Sequence, residues 1–266
     1  MLQMEVENVE HVDAVQSGMD PNELGTSVGK AMALLTAFDR AGPIGVSELA
    51  RRTNLPKSTA FRLLAVLERW QLVERVDNRY RLGSRLFELG NRVVYCSPRG
   101  LREIAHPFLE ELHEITHETV HLAVLVDHDV LYLDKVYGHN QVRCPSRVGG
   151  RFPAHCSALG KAILAYGDAC LVREVLASHL ERRTPYTIVH AQVLCQELQS
   201  IRQMGIAFDR DGGSIGLTCV AAPIRNRLNE TVAAVSISGA TGRFDPTLYV
   251  ERIRRTARAI GSHLCA

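Results

Sequence analysis

Ser47-Glu48-Leu49-Ala50-Arg51-Arg52-Thr53-Asn54-Leu55-Pro56-Lys57-Ser58-Thr59-Ala60-Phe61-Arg62-Leu63-Leu64, residues 47–64, is the stretch whose pattern settles the fold. Ser47 stands before a short amphipathic run and offers a hydroxyl to cap it, and Thr53-Asn54-Leu55 supplies a turn. Pro56 falls where a new helix begins, a position at which its missing N–H is no loss. From Ser58 to Trp70, apolar residues at Leu63, Leu64, Val66 and Leu67 keep the spacing of one helical face. Upstream, Val28, Ala31, Leu34, Leu35 and Phe38 form a helical stripe that Ala41-Gly42-Pro43 stops. Downstream, Leu72–Val76 and Tyr80–Leu82 predict short strands around Asp77-Asn78, a turn pair tolerant of positive φ. Three helices followed by a hairpin predict a winged helix-turn-helix over residues 25–83.

Charge agrees with that reading. The formal net charge of the 266 residues is only +2, but residues 1–24 hold six acids and no Lys or Arg, whereas residues 25–96 hold twelve Lys and Arg against six acids. A basic block beside a near-neutral body is the footprint of a nucleic-acid-binding module, because neutralising backbone phosphates supplies most non-specific affinity. In a helix-turn-helix the start of the second helix meets the major groove. Lys57 and Arg62 can there neutralise phosphates or pair with guanine, Ser58 and Thr59 are short donors, and Phe61 can touch a thymine methyl. Ser47 at the first helix and Arg79 and Arg81 on the wing complete the expected contact set with double-stranded DNA.

The acidic start, with no sustained period, predicts a flexible tail over residues 1–24. Helical spacing at Leu86, Leu89 and Val93 predicts a linker helix over 84–97, ending at a Ser97-Pro98-Arg99-Gly100 hinge. Residues 98–266 then interleave helices (Leu101–Thr116, Ala158–Tyr166, Ala169–Leu180, Ala191–Met204 and one from Pro246 onward) with apolar strands. The strands are expected at Val120–Val126, Val130–Val136, near Val142, and at Ile206–Asp209, Thr218–Ile224 and Thr231–Ser238. The class is α/β, α+β overall. Seven dispersed cysteines without a C-x-x-C pair argue against a disulfide framework or zinc knuckle. With no apolar run long enough to span a bilayer and no cationic leader, the expectation is a cytoplasmic protein without membrane contact.

The run from Ser47 through Leu64 and on to Tyr80-Arg81-Leu82-Gly83 resembles the DNA-binding domain of the IclR family of bacterial transcriptional regulators. The second half resembles the family's effector domain, in family order: Glu118-Thr119-Val120-His121-Leu122-Ala123-Val124, Leu131-Tyr132-Leu133-Asp134-Lys135-Val136, Pro153 to Ala162, and Cys219-Val220-Ala221-Ala222-Pro223. This resemblance implies a GAF-like domain, a sheet flanked by helices around a pocket for a small organic acid. It carries the pocket onto Ala158, Leu159, Asp209, Cys219, Ser236 and Ser238. Physical chemistry adds Ser157, which can cap the helix starting at Ala158 and leave amide donors for a carboxylate. Arg143, Pro145, Val148 and Phe152 lie on the preceding segment, suited to a lid or wall. Two departures stand out: Trp70-Gln71 replaces the glycine usual after the recognition helix, and Gly212 stands where the family commonly has an acid.

The expected function is a ligand-responsive regulator, a repressor of a catabolic operon. It would bind a pseudo-palindromic operator as a homodimer or a dimer of dimers, sense an aromatic or short-chain carboxylic acid such as a hydroxybenzoate, and need no cofactor or metal. Two readings compete. His113-Glu114-Ile115-Thr116-His117 satisfies H-E-x-x-H, the spacing by which a helix holds zinc beside a general base, and so allows a zinc-dependent hydrolase. A winged helix can also serve as a protein-interaction module. Against the hydrolase, Ile104, Phe108, Leu112 and Ile115 already supply the buried stripe of that helix, while Glu110, Glu111 and Glu118 mark a solvated face.

Overall fold

The computed structural model describes residues 25–38, 42–96, 99–139, 142 and 144–264. The acidic segment 1–24, Ser97 and Pro98 of the hinge, and Arg143 lie outside them. The chain divides into two compact units, residues 1–93 and 94–266.

In the first unit, helix α1 (Ser27–Thr36) opens on Thr26, whose hydroxyl accepts the Gly29 N–H at 2.9 Å. Strand β1 (Ile44–Gly45), helix α2 (Val46–Arg52) and helix α3 (Lys57–Arg69) follow, then β2 (Val73–Val76) and β3 (Arg79–Leu82). The strands form an antiparallel sheet in the order β1-β3-β2. Leu34, Leu49 and Leu64, one from each helix, are fully buried and meet Val73 and Tyr80 in one core. Each such side chain stabilises the unit by about 1.5–3 kcal/mol through burial.

Two local expectations shift. Ser47 does not cap α2. Ile44–Gly45 pairs with Arg79 and Tyr80, so the chain turns from strand to helix at Gly45 and leaves Ser47 exposed in the first turn. The linker helix is shorter than its apolar spacing suggested. Helix α4 (Ser84–Gly90) stops at Gly90-Asn91, two weak helix formers, and only a 3₁₀ turn at Val94–Cys96 lies beyond. The strand β1 itself was not foreseen, because two residues carry no alternation.

Helix α3 ends in a Schellman motif. The Gln71 N–H reaches the Glu68 carbonyl and the Leu72 N–H reaches the Leu67 carbonyl, both at 2.9 Å, with Gln71 left-handed at φ 57°. Gly83 closes the wing against this turn. A Cβ there would stand 2.1 Å from the Gln71 carbonyl oxygen, so only glycine allows the approach.

The second unit is built on a six-stranded antiparallel sheet in the order β6-β5-β4-β9-β8-β7. Its strands are β4 (Thr119–Val126), β5 (Asp129–Val136), β6 (Arg151–Pro153), β7 (Ala207–Arg210), β8 (Leu217–Arg225) and β9 (Thr231–Ala240). Alternation sorts the two faces. Val120, Leu122, Val124, Val220, Val235 and Ile237 pack with helices α5 (Leu101–Thr116) and α9 (Val250–His263). Their neighbours Ala123, Ala221 and Ala234 face α6 (Ala158–Leu164), α7 (Ala169–Ala177) and α8 (Ala191–Met204). Of the strand expected near Val142, only Val142 itself is described, and it is irregular; β5 pairs with β4 on one side and on the other with β6, where Phe152 stands opposite Val130. Among the described residues no helix is long and apolar enough to cross a membrane.

Candidate functional site

On α3, Ala60, Leu64 and Leu67 point into the core, which turns Lys57, Ser58, Phe61 and Arg62 outward. Phe61 is 50% exposed although it is a large apolar side chain. Thr59 is half-buried beside this face. On the wing the two arginines differ. Arg81 is locked to Glu74 at 2.7 Å and draws that carboxyl below its usual range, whereas Arg79 reaches the Pro43 carbonyl at 3.5 Å, with no ion pair among the described residues. On α2, Arg51 and then Arg52 hold the Glu48 carboxyl down at about 2, so the cations of that helix are tied to one acid. The outward face of α3 thus presents basic, hydroxyl and aromatic groups together, the mixture that phosphates and base edges require.

In the second unit, the strand register assembles a second site. Asp209 lies opposite Cys219, Cys219 opposite Ser238, and Ser236 opposite both Ala221 and His121. Small side chains on neighbouring strands leave space between the sheet and α6, which is buried from Ala158 to Leu164. Ser157 caps α6 by accepting the Gly160 N–H at 2.9 Å. Gly160 is itself required, since a Cβ there would stand 2.2 Å from the Ala154 carbonyl oxygen. Phe152, Ser157, Ala158, Leu159, Asp209, Cys219, Ser236 and Ser238 border one cavity, and Pro145 joins them. Val148, 47% exposed, does not. The cavity measures about 30 Å³, the share of a single water. Ligand sites usually run to roughly 300–1,000 Å³, so a ring-sized guest enters only as these walls part.

Six bordering residues escaped the sequence reading: His121, Tyr132, Cys144, Gly213, Ser214 and Leu217. Ser146 bridges two of them, with its hydroxyl 2.7 Å from His121 Nε2 and 2.9 Å from Cys144 Sγ. A lone histidine inside the apolar strand Thr119–Val126, in phase with Ala123 on the pocket face, was the available signal. Burial favours the neutral form of four of these walls, His121, Cys156, Cys219 and Tyr132. It drives the His121 imidazole down to about 3, with Lys135 assisting, pushes the Cys156 thiol up to about 12, and raises the Cys219 thiol and Tyr132 phenol well above their ordinary values. Ser238 donates to Cys219 Sγ at 3.1 Å. Gly212 also finds its explanation, because a Cβ there would lie 2.4 Å from Asp209 Oδ1 and an acid would crowd that carboxyl.

The H-E-x-x-H motif does not build a metal centre. His117 leaves α5 in a left-handed conformation at φ 55°, its ring stacks on His139, and its centroid lies 6.5 Å from that of His113. Among the described residues no cluster of His, Cys, Asp or Glu is arranged to hold a metal ion.

Residues 27–77 match the IclR helix-turn-helix domain, and residues 93–262 match the bacterial transcriptional regulator IclR C-terminal domain. The chain belongs to the IclR family. Among the relatives of this IclR regulator are the HTH-type transcriptional regulator KdgR of Dickeya chrysanthemi and the HTH-type transcriptional repressor AllR of Escherichia coli K12. The first is 33% identical over 90% of this chain and 80% of its own length. The second is 30% identical over 88% of this chain and 89% of its own. The crystal structure of the Thermotoga maritima IclR matches with a TM-score of 0.75 at 34% identity, covering 88% of this chain and 97% of that one. An IclR homologue from Microbacterium hydrocarbonoxydans, crystallised with 4-hydroxybenzoate, matches with a TM-score of 0.81 at 30% identity, covering 90% of this chain and 98% of that one. This regulator therefore carries a DNA-binding helix-turn-helix and an IclR-type C-terminal domain.

Proposed function

We propose that this IclR-family regulator works in the cytoplasm as a repressor of a catabolic operon, released by a small aromatic or short-chain carboxylic acid. The outward face of α3, with Lys57, Ser58, Phe61 and Arg62 together, carries the reading for DNA. Two copies would place two such helices on a pseudo-palindrome, in a homodimer or a dimer of dimers. The exposed apolar side chains of α4, Phe87 and Leu89, suit pairing between copies. The acid would occupy the cavity under α6, where Ser236, Ser238, Ser157 and the first amides of α6 are the donors. Its nearest support is the 4-hydroxybenzoate named in the Microbacterium hydrocarbonoxydans structure. Arg143, outside the described residues, and Pro145 and Phe152 are proposed as its wall.

Linkage makes the reading quantitative. An acid that weakens operator binding by some factor must itself bind the DNA complex more weakly by that factor, and a coupling of about 1–3 kcal/mol makes a working switch. A mobility-shift titration with the intergenic DNA upstream of the regulator's own operon, with and without 4-hydroxybenzoate, tests both halves. A specific complex that the acid dissociates is expected, and binding without sequence preference at moderate salt would refute the DNA reading. A protein-interaction role for the winged helix predicts a nearly flat salt dependence instead.

A further inference from the structure

A second and much larger cavity, about 400 Å³, opens on the far side of Asp209 and is lined in part by Lys161, Glu197, Ile188, Phe208 and Thr218. It falls in the size range of small-molecule sites, whereas the cavity under α6 does not. Asp209 and Cys156 border both cavities and form the wall between them. Lys161 lies on the inner helix α6 with its side chain only 5% exposed. An ammonium so placed has three N–H donors and is expensive to bury without close partners. Its carboxylate contacts, Asp209 Oδ1 and Glu197 Oε1, each stand at 3.4 Å, well beyond the roughly 2.7–2.9 Å of a tight charge-assisted bond. The two acids are not equivalent. Asp209 is 10% exposed and is fixed by the Gly213 N–H at 3.1 Å, while Glu197 is 34% exposed on α8.

We infer that this outer cavity is a second ligand site, distinct from the cavity under α6, and that it takes a small monocarboxylic acid with a ring-sized apolar body. The acid's carboxylate takes the place of Glu197 at Lys161, and Asp209 stays where it is. Ile188 and Phe208, both partly buried, give the apolar body a surface, and Thr218 offers a polar edge. Glu197 is then a built-in competitor: it satisfies Lys161 when the cavity holds only water and swings into solvent when an acid arrives. Because Asp209 is shared, drawing Lys161 toward the outer ligand loosens its hold on a wall of the inner cavity, so the two sites are coupled. The inference does not require that the inner cavity bind an acid.

Benzoate is the probe, titrated into the full-length protein carrying ¹³C-labelled isoleucine methyls, with calorimetry in parallel. Ile188 borders only the outer cavity and is the reporter. Benzoate is expected to shift the Ile188 methyl. Glu197→Gln removes a repelling carboxylate from a partly exposed position and should tighten binding about threefold to tenfold. Lys161→Met should weaken binding at least tenfold; should that variant fold poorly, Glu197→Gln still decides, because a structural role for Glu197 would not make benzoate bind better. A silent Ile188 methyl, an affinity unchanged or weakened by Glu197→Gln, or no binding of benzoate at all overturns the second site. Binding that responds only to Ser236→Ala overturns it too, while leaving the inner cavity as the acid's place.

Discussion

Gln71 occupies a conformation that its Cβ resists. Left-handed backbone costs a non-glycine residue on the order of 1 kcal/mol, and the C′ position of a Schellman motif is where glycine most helps. Gln71→Gly is therefore expected to raise the melting temperature of the winged unit, by about 1 kcal/mol of stability, with DNA affinity unchanged. Gly83→Ala should do the reverse and more, since its methyl would meet the Gln71 carbonyl backbone, which cannot step aside. Thermal melts of the two variants check both. His121 gives the pH dependence at this scale. Its folded value of about 3 lies below the ordinary 6.5, so between those values the unfolded chain binds a proton that the native chain refuses. Stability from this group is complete above 6.5 and declines as pH falls toward 3, at up to about 1.4 kcal/mol per pH unit. His121→Gln should flatten that slope relative to wild type in melts from pH 7 to pH 4. An unchanged slope would mean that the imidazole takes up its proton in the native state.

At the scale of elements, the DNA reading proposed above divides the work of holding the duplex between α3 and the hairpin β2–β3. Lys57→Ala should weaken binding across all sequences and lower the slope of log affinity against log salt by about one, whereas Thr59→Ala should relax preference at particular base pairs. Arg79→Ala should reduce that slope more than Arg81→Ala, because Arg81 already neutralises Glu74. Mobility shifts at several salt concentrations separate these outcomes. Helix α3 and its neighbours were legible in the sequence because their burial is local: Ala60, Leu64 and Leu67 repeat at helical spacing, and Pro56 and Gln71 sit at the ends. Helix α4 was less so. Apolar spacing ran on through Val93, but the backbone stops at Gly90, and propensity outweighed a stripe that buries nothing within its own unit. The cavity under α6 was legible only where a motif or a cap named its residues. His121, Tyr132 and Cys144 come to it through strand register and packing, and neither is written in the spacing of neighbours along the chain.

The whole molecule consists of two units with separate cores, one around Leu34, Leu49 and Leu64 and the other on both faces of the six-stranded sheet. A chain so divided need not melt in one step. Calorimetry is expected to resolve two transitions, and Leu64→Ala should lower one of them by 2–5 kcal/mol of stability while leaving the other in place. A single transition shifted as a whole would mean that the units unfold together. The lining of the cavity under α6 bears on how such a protein behaves in a living cell. Burial disfavours the charged forms of His121, Cys156, Cys219 and Tyr132, and the cavity's one acid is matched by Lys161, so the recognition proposed there would rest on shape and hydrogen bonds that dissolved electrolytes barely screen. The grip on nucleic acid proposed for α3, by contrast, would be ionic and would slacken as salt rises. Osmotic stress would then loosen the regulator from its operator without blurring its metabolic sense, and the cell would hold two independent hands on one switch.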